Sequence, residues 1–518
     1  MNAAPDPGHM QERFVSILFP DGQAPAEAGA PPYFHDLSLD RIVDAVTAGR
    51  QEYQLAPFFH APLRDADTIV WRQEVMQDME QESLLAAVTS FARHMQSMRR
   101  YLPEPERRYY RYQKERWLLD AAASYCAAVA GLAHDLSGLH LASRGMRALR
   151  EHLARYCASP AFAELAAQTG SLSADLSAIR YCLQIDGSSI TVRACHEEGD
   201  YSAEVERTFE KFRRGAAEDH RANLRNDDMN HVQEQVVKRV ALFFPEVFGR
   251  LEQFPVQHAS YLDETIVRFD REIQFYVAWL AYTGKLRQNG LAFCYPQLAA
   301  ADREIFAHDT FDLALAGELA AENKAIVPND FLLHGMERIV VVTGPNHGGK
   351  TTFARMFGQL HHLACLGCPV PGGAARLFPF DRLFTHFDKE EDAAALHGKL
   401  QDDLIRLRDI LQLATPHSIV ILNEVFSSTT VGDALLLGRK LLAKISALDA
   451  LCVCVTFLDE LASFDAKTVS IAGVVDPADP TARSFRLERK PPDGLAYALA
   501  IAEKHRVTYR WLKQRIAP

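Results

Sequence analysis

From about Leu37 to about Tyr282 apolar residues recur at spacings of three and four, as in "SLLAAVTSFARHMQSM" and "WLLDAAASYCAAVAGLAHDL", which predicts a run of amphipathic helices. One stretch breaks the pattern. In "SSITVRACHEEGDYSAEVE", Ser188 to Glu206, Ile190, Val192 and Ala194 alternate with polar residues, so a small strand-bearing insertion around residues 188–240 is expected inside the helical part. After "KLRQNGLAFCYPQL" the texture changes to short β-branched runs, "RIVVVTGP", "HSIVILNE" and "ALCVCVTF", each followed by a helical pattern. Strands of that kind are buried on both faces, the signature of a parallel sheet. The fold class expected is therefore α followed by α/β, with a mostly helical domain over 34–290 and an α/β domain over 291–518. Residues 1–33, rich in Pro, Ala and Gly around one apolar stretch, "FVSILF", read as a mobile lead-in. No repeat of 30 to 45 residues is visible, which excludes a solenoid.

Composition narrows the class. At 518 residues, 48% apolar and 24% charged, the chain is long enough for several packed domains. The longest small-apolar run, "AAASYCAAVAGLA", is interrupted by Ser and Gly and falls short of the roughly 20 residues of a membrane span, so no membrane segment is expected. The start, "MNAAPDPGHMQERF", lacks the positive and apolar blocks of a secretory signal, and a cytoplasmic protein is expected. Nine scattered cysteines fit core thiols better than a disulfide framework. "HHLACLGC", with His361, His362, Cys365 and Cys368, resembles a metal knuckle but has no second Cys pair nearby, and reads instead as a buried helix end. The formal charge of −11 argues against gripping nucleic acid by bulk electrostatics.

Two segments carry chemistry. "VVVTGPNHGGKTTF" satisfies G-x-x-x-x-G-K-[ST] with Gly344, Gly349, Lys350 and Thr351, directly after a strand and before a helical pattern. Glycines at those places let backbone N–H groups turn toward phosphates, and the helix start adds a favourable dipole. Lys350 is placed to meet the β and γ phosphates, and Thr351 to meet Mg²⁺. Some 70 residues on, "IVILNEVFSSTT" ends an apolar strand in Asn423 and Glu424. Two acids there would hold Mg²⁺ through water and orient an attacking water. Here the first is an amide, which accepts a hydrogen bond but brings no charge, and outer-shell changes of this kind cost roughly 10- to 100-fold in metal affinity or activity.

With these motifs in place, the region from about Ile326 to the C-terminus resembles the ATPase domain of the MutS family. "IVPNDFLL", "TGPNHGGKTTFAR", "PVPGGAARLFPFDRLFTHF", "TPHSIVILNEVFSSTTVGDALLLG" and "GLAYALAIAEKH" stand in the family's order at close to its spacing. Upstream, "FFHAPLRDADTIVWRQEVMQDM" is similar to the start of the family's helical core and lever domain. The resemblance implies an ABC-type P-loop domain that binds ATP and Mg²⁺. Gly344, Pro345, Asn346, His347, Gly348, Gly349, Lys350, Thr351 and Thr352 would form the phosphate loop. Ile326 and Val327 would pack the adenine, Thr351 and Asn423 would serve the metal, and Glu424 with Lys350 would be catalytic. It also implies a homodimer, in which a signature segment of the second subunit closes each site. That segment aligns with "LHGKLQDDL", placing Gly398 where the family has its signature Ser, with Lys399 beside it. The family's switch His falls at Phe457.

Asn423, Gly398 and Phe457 all depart from the family at positions that touch hydrolysis rather than binding. A missing group of that kind costs about 10²- to 10⁴-fold when it acts in the chemical step, so slow turnover is expected. The family's mismatch-reading domain is not expected: its Phe-x-Glu signature occurs only at Phe162 and Phe244, inside the helical region. No nuclease tail is expected either, since the chain stops at "RWLKQRIAP". DNA, whether duplex, mismatched or branched, is the expected partner. Its candidate contacts lie in "MRRYLPEPERRYYRYQKERW", which has seven basic residues against three acidic, interleaved with aromatics: Arg99, Arg100, Arg107, Arg108 and Arg111. The competing reading is a helix start that packs its aromatics inward. Residues 207–239, with eight basic and six acidic side chains, read as a solvated face. The function expected is an ATP-gated, DNA-binding dimer in DNA repair or recombination. A nucleotide-gated protein scaffold without DNA contact is the alternative, and a transporter ATPase is more remote.

Overall fold

The structure is a computed structural model and describes residues 14–22, 29–102, 110–195, 229–299, 304–387, 398–475, 483–492, 502–503 and 505–516. Its chain falls into two compact units. Of the described residues, the first takes Phe14, 81–141 and 147–270, and the second those of 15–80, 142–146 and 271–518. The division differs from the single boundary expected near residue 290.

The first unit is helical, with the two apolar-periodic stretches forming Glu82–Arg100 and Arg111–Ser137. Their inward faces bury Phe91, Met95, Leu119, Tyr125 and Leu132. The helix Pro160–Ala178 starts with proline, which needs no N–H donor there, behind Ser159, whose side chain accepts from the Phe162 amide. Phe162 is buried and packs its ring on Tyr156, so this Phe-x-Glu triplet serves the core. The expected strand is Ser189–Ala194, and it pairs antiparallel with Tyr181–Asp186 around a turn in which Gly187 has φ 57°. A left-handed residue at that place matches the twist of a two-residue hairpin. Residues 196–228 of the expected insertion lie outside the described residues.

The second unit contains the α/β fold. The three strands expected from sequence are Ile339–Thr343 (β1), Ile419–Asn423 (β3) and Leu451–Val455 (β4). Leu383–Phe387 (β2), Thr468–Gly473 (β5) and Leu487–Arg489 (β6) complete a six-stranded sheet of order β2-β3-β4-β1-β5-β6. All neighbours are parallel except β5 and β6. Both faces are covered. On one, Val420, Leu422, Cys452 and Cys454 pack with residues of Lys399–Leu413 (α2) and Val431–Leu448 (α3). On the other lies Lys350–Cys365 (α1), where a Cβ at Gly358 would come within 2.8 Å of Ile421 and 2.6 Å of Leu37. Glycine is what lets this helix approach the sheet.

Part of the segment expected to be mobile is packed. Phe14 is buried in the first unit, and Ile17, Leu18 and Phe19 are buried in the second. The Ile17 amide donates to Glu272 Oε2 at 2.9 Å, its carbonyl accepts from Trp71 Nε1 at 2.9 Å, and the Leu18 carbonyl accepts from the buried Arg72 Nε at 3.1 Å. Apolar side chains together with a satisfied backbone outweigh the Pro- and Gly-rich composition around them. His361 and His362 are also core residues. His361 Nδ1 donates to the Phe357 carbonyl at 2.8 Å, and His362 bonds the Phe59 carbonyl and Tyr33 Oη. Among the described residues no group of three or more His, Cys, Asp or Glu is placed to hold a metal ion, and none of the nine cysteines is paired. No described helix is long and apolar enough to cross a membrane.

Candidate nucleotide site

Parallel strands deliver their carboxyl ends to one edge of the sheet, where open α/β folds bind ligands. From β1 the chain turns through Gly344, whose φ of 126° strains any side chain and where an added Cβ would lie 3.0 Å from the Gly473 amide nitrogen. His347 and Gly349 follow at positive φ before α1 begins at Lys350. Three residues of six at positive φ make a tight loop of the kind that binds anions through its backbone.

Lys350 is buried and donates to the carbonyls of Gly344 (2.9 Å) and Pro345 (3.1 Å) and to Asn346 Oδ1 (3.4 Å). Burial lowers its pKa from the ordinary lysine value, partly countered by the carboxylates of Glu424 and Asp459, while Arg483 adds to the lowering. The next residue, Thr351, donates its hydroxyl to Asn423 Oδ1 at 3.0 Å. This contact joins the loop to the end of β3 across 72 positions of sequence. Glu424 follows in the left-handed region, φ 54°, with its amide bonded to the Val455 carbonyl of β4 at 2.9 Å. A glutamate held at positive φ is strained, and residues of this kind cluster at functional sites.

A cleft of about 780 Å³ opens here, lined by Asn346 to Thr352, Glu424, Ile326 and Val327, and also by Leu315, Leu319, Lys324, Asn329 and Phe485. It unites four separate stretches of sequence, around 315–329, 346–352, 424 and 485, in one cavity. Phosphate-loop amides and Lys350 lie beside an apolar wall, which suits a ligand that is anionic at one end and apolar at the other.

Residues 340–504 match the family model described as MutS domain V. This part of the chain is similar to the MutS family. Over 189 residues it is 32% identical to the Endonuclease MutS2 of Gemmatimonas aurantiaca, an alignment covering 36% of this chain and 23% of that protein. Over 113 residues it is 39% identical to the DNA mismatch repair protein MutS 2 of Halobacterium salinarum, covering 22% of this chain and 13% of that one. The chain thus spans less than a quarter of the length of either relative.

Other residues singled out from the MutS resemblance lie apart from the cleft. Gly398 is the exposed N-cap of α2 and Lys399 its first residue. Phe457, after β4, is 48% exposed and does not line the cavity. Among the candidate DNA contacts, Arg99 is paired with the buried Asp270, and Arg111 with Glu115 (2.8 Å) and Glu252 (3.1 Å). Arg100 is exposed, while Arg107 and Arg108 lie outside the described residues. Tyr112 packs edge-on against Phe248 and donates to Glu252 at 3.2 Å, so this aromatic turns inward. Sequence reasoning missed Phe485, Asn329, Lys324 and the Leu315–Leu319 turn in the cleft, and Asp459 and Arg483 near Lys350. One signal was present: Asn329 stands inside "IVPNDFLL", and its side chain ties the Phe485 carbonyl (3.1 Å) and the Leu487 amide (2.7 Å).

Proposed function

We propose that this protein binds ATP with Mg²⁺ in the β1–α1 cleft and hydrolyses it slowly, as an ABC-type ATPase that gates a DNA-binding homodimer in DNA repair or recombination. The observation that carries the reading is the Thr351–Asn423 hydrogen bond, with Glu424 and Lys350 lining the same cavity. It brings the phosphate loop after β1 and the end of the apolar strand β3 into one site. Ile326 and Val327 pack the adenine, and Asn346 to Thr352 bind the phosphates. Thr351 Oγ1 and Asn423 Oδ1 suit Mg²⁺, a cation that keeps several waters and takes few protein ligands beside substrate phosphates. When bound, it neutralises phosphate charge. Glu424 orients the attacking water, Lys350 meets the β and γ phosphates, and the partner's copy of the Gly398–Lys399 segment completes the site.

Lys350→Ala tests the nucleotide reading. Its ammonium sits within the phosphate loop, on the Gly344 and Pro345 carbonyls, so ATP affinity measured by calorimetry should drop at least tenfold, the scale of one charge-assisted contact. Unchanged affinity removes the assignment.

The pairing of Arg99 and Arg111 with carboxylates of their own unit favours a second reading, a nucleotide-gated protein scaffold without DNA contact. Titration against duplex, mismatched and branched DNA at two salt concentrations separates the two. Phosphate contacts give an affinity that falls with salt, and a scaffold gives no binding at either concentration.

A further inference from the structure

Where α2 packs on the edge strand β2, most of the contact is apolar: Phe384 lies against the core that contains Leu407 and Ile410. One pair is polar. His386 Nε2 bonds Asp403 Oδ1 at 3.0 Å, with the imidazole side chain 1% exposed and the carboxylate 13%. His386 Nδ1 is buried with no hydrogen-bond partner. The tautomer that fits is therefore Nε2–H donating to the carboxylate, with Nδ1 as an unprotonated lone pair, since a proton there would be a buried donor left unsatisfied.

Such a pair adds little to stability over apolar residues of similar size, because desolvation offsets the attraction. What it supplies is direction. Apolar surfaces tolerate sliding, whereas one N–H aimed at one carboxylate oxygen sets the height and rotation of a helix. The two ends of this bond sit at informative places. His386 is opposite Leu422 in the β2–β3 register, and the next residue, Phe387, is opposite Asn423. Asp403 lies one helical turn into α2, behind Lys399 and the N-cap Gly398, which has no side-chain capping bond of its own.

We propose that His386 and Asp403 are positioning residues: their buried hydrogen bond fixes α2 on the strand edge beside Asn423, and so sets where Gly398 and Lys399 are presented to nucleotide in a second subunit. The inference rests on the composite-site reading above. It concerns turnover and subunit closure, not the affinity of one subunit's own phosphate loop.

The test compares the full-length wild type with His386→Leu/Asp403→Leu and His386→Gln, reading three quantities: ATP affinity by calorimetry, turnover at saturating ATP, and ATP-dependent dimerisation by light scattering. Removing both partners together should leave the fold intact. In the double variant ATP affinity should stay within about twofold while turnover falls roughly 10- to 100-fold and ATP-dependent dimerisation weakens, the pattern of lost positioning rather than lost ground-state binding. His386→Gln, whose amide can still donate to Asp403, should recover most of the turnover. Wild-type turnover and dimerisation in the double variant overturn the proposal. So does a parallel loss of affinity and turnover, which marks a merely structural pair, or a failure of His386→Gln to recover. If the double variant does not fold, Asp403→Asn is read instead. Its amide oxygen still accepts the bond, so turnover should stay near wild type, and a large fall with unchanged affinity overturns the proposal. A wild type that binds no ATP defeats the nucleotide reading itself, and that result appears in the wild-type arm alone.

Discussion

Asn423 is the residue on which the chemistry of this site turns. Its amide oxygen already accepts the Thr351 hydroxyl at 3.0 Å, and a carboxylate of the same shape could take the same bond. Asn423→Asp therefore changes charge with little change of form. Turnover should rise by roughly 10- to 100-fold, the scale of groups that support a metal site from outside its ligands. Glu424→Gln in the same assay should abolish hydrolysis, since a neutral amide cannot take the proton of the attacking water. Hydrolysis that survives Glu424→Gln assigns the water to another group. Neighbouring carboxylates resist ionising together, and the opposite outcome is therefore informative. A fall in Asn423→Asp would mean the site is built around the amide, with Lys399 supplying the cation. Much of this was legible beforehand: loop, strand and Asn-Glu pair are local patterns with local causes. Phe485, Asp459 and Arg483 were not, because no spacing in the sequence links them to Lys350.

At the scale of elements, α1 joins the phosphate loop to the core. His361 and His362, on its last turns, are fully enclosed, and burial lowers the pKa of both to about 4 from an ordinary 6.5. The carbonyls of Phe357 and Phe59 that they bond only partly offset this. The folded pKa lies below the unfolded one, so on acidification the unfolded chain takes up protons first. Their stabilising contribution is complete above pH 6.5 and is lost as pH falls from there toward 4, on the order of 3 kcal/mol for each histidine. Thermal unfolding followed by circular dichroism should show a melting temperature that drops steeply across that window. His361→Leu should flatten the drop, and an unchanged pH profile would place the acid sensitivity elsewhere. The hairpin gives the opposite lesson about elements. Tyr181, Leu183 and Ile185 alternate as clearly as Ile190, Val192 and Ala194, yet directly after a helical pattern six such residues do not declare a strand until their partner is in register.

For the whole molecule the decisive question is assembly. If each site is completed by the opposite copy's Gly398–Lys399 segment, a non-hydrolysable ATP analogue should shift the protein from monomer toward dimer in light scattering. Lys399→Ala should reduce that shift by roughly tenfold in dissociation constant, the worth of one charge-assisted contact. A monomer at saturating analogue removes the composite site while leaving nucleotide binding untouched.

The sequence by itself determined what depends on neighbours along the chain: helix and strand periods, the glycine-dependent phosphate loop, and the likeness of these motifs to MutS domain V. Tertiary structure decided what depends on contacts across hundreds of positions. It paired Thr351 with Asn423, placed Phe485 in the cleft, and buried Ile17 to Phe19 by satisfying their backbone from Glu272, Trp71 and Arg72. It also gave Arg99 and Arg111, both candidate DNA contacts, the carboxylate partners Asp270, Glu115 and Glu252. The reason is physical. A periodic pattern records which face of an element is apolar, whereas the partner of a charge is whichever opposite charge the fold brings within about 4 Å.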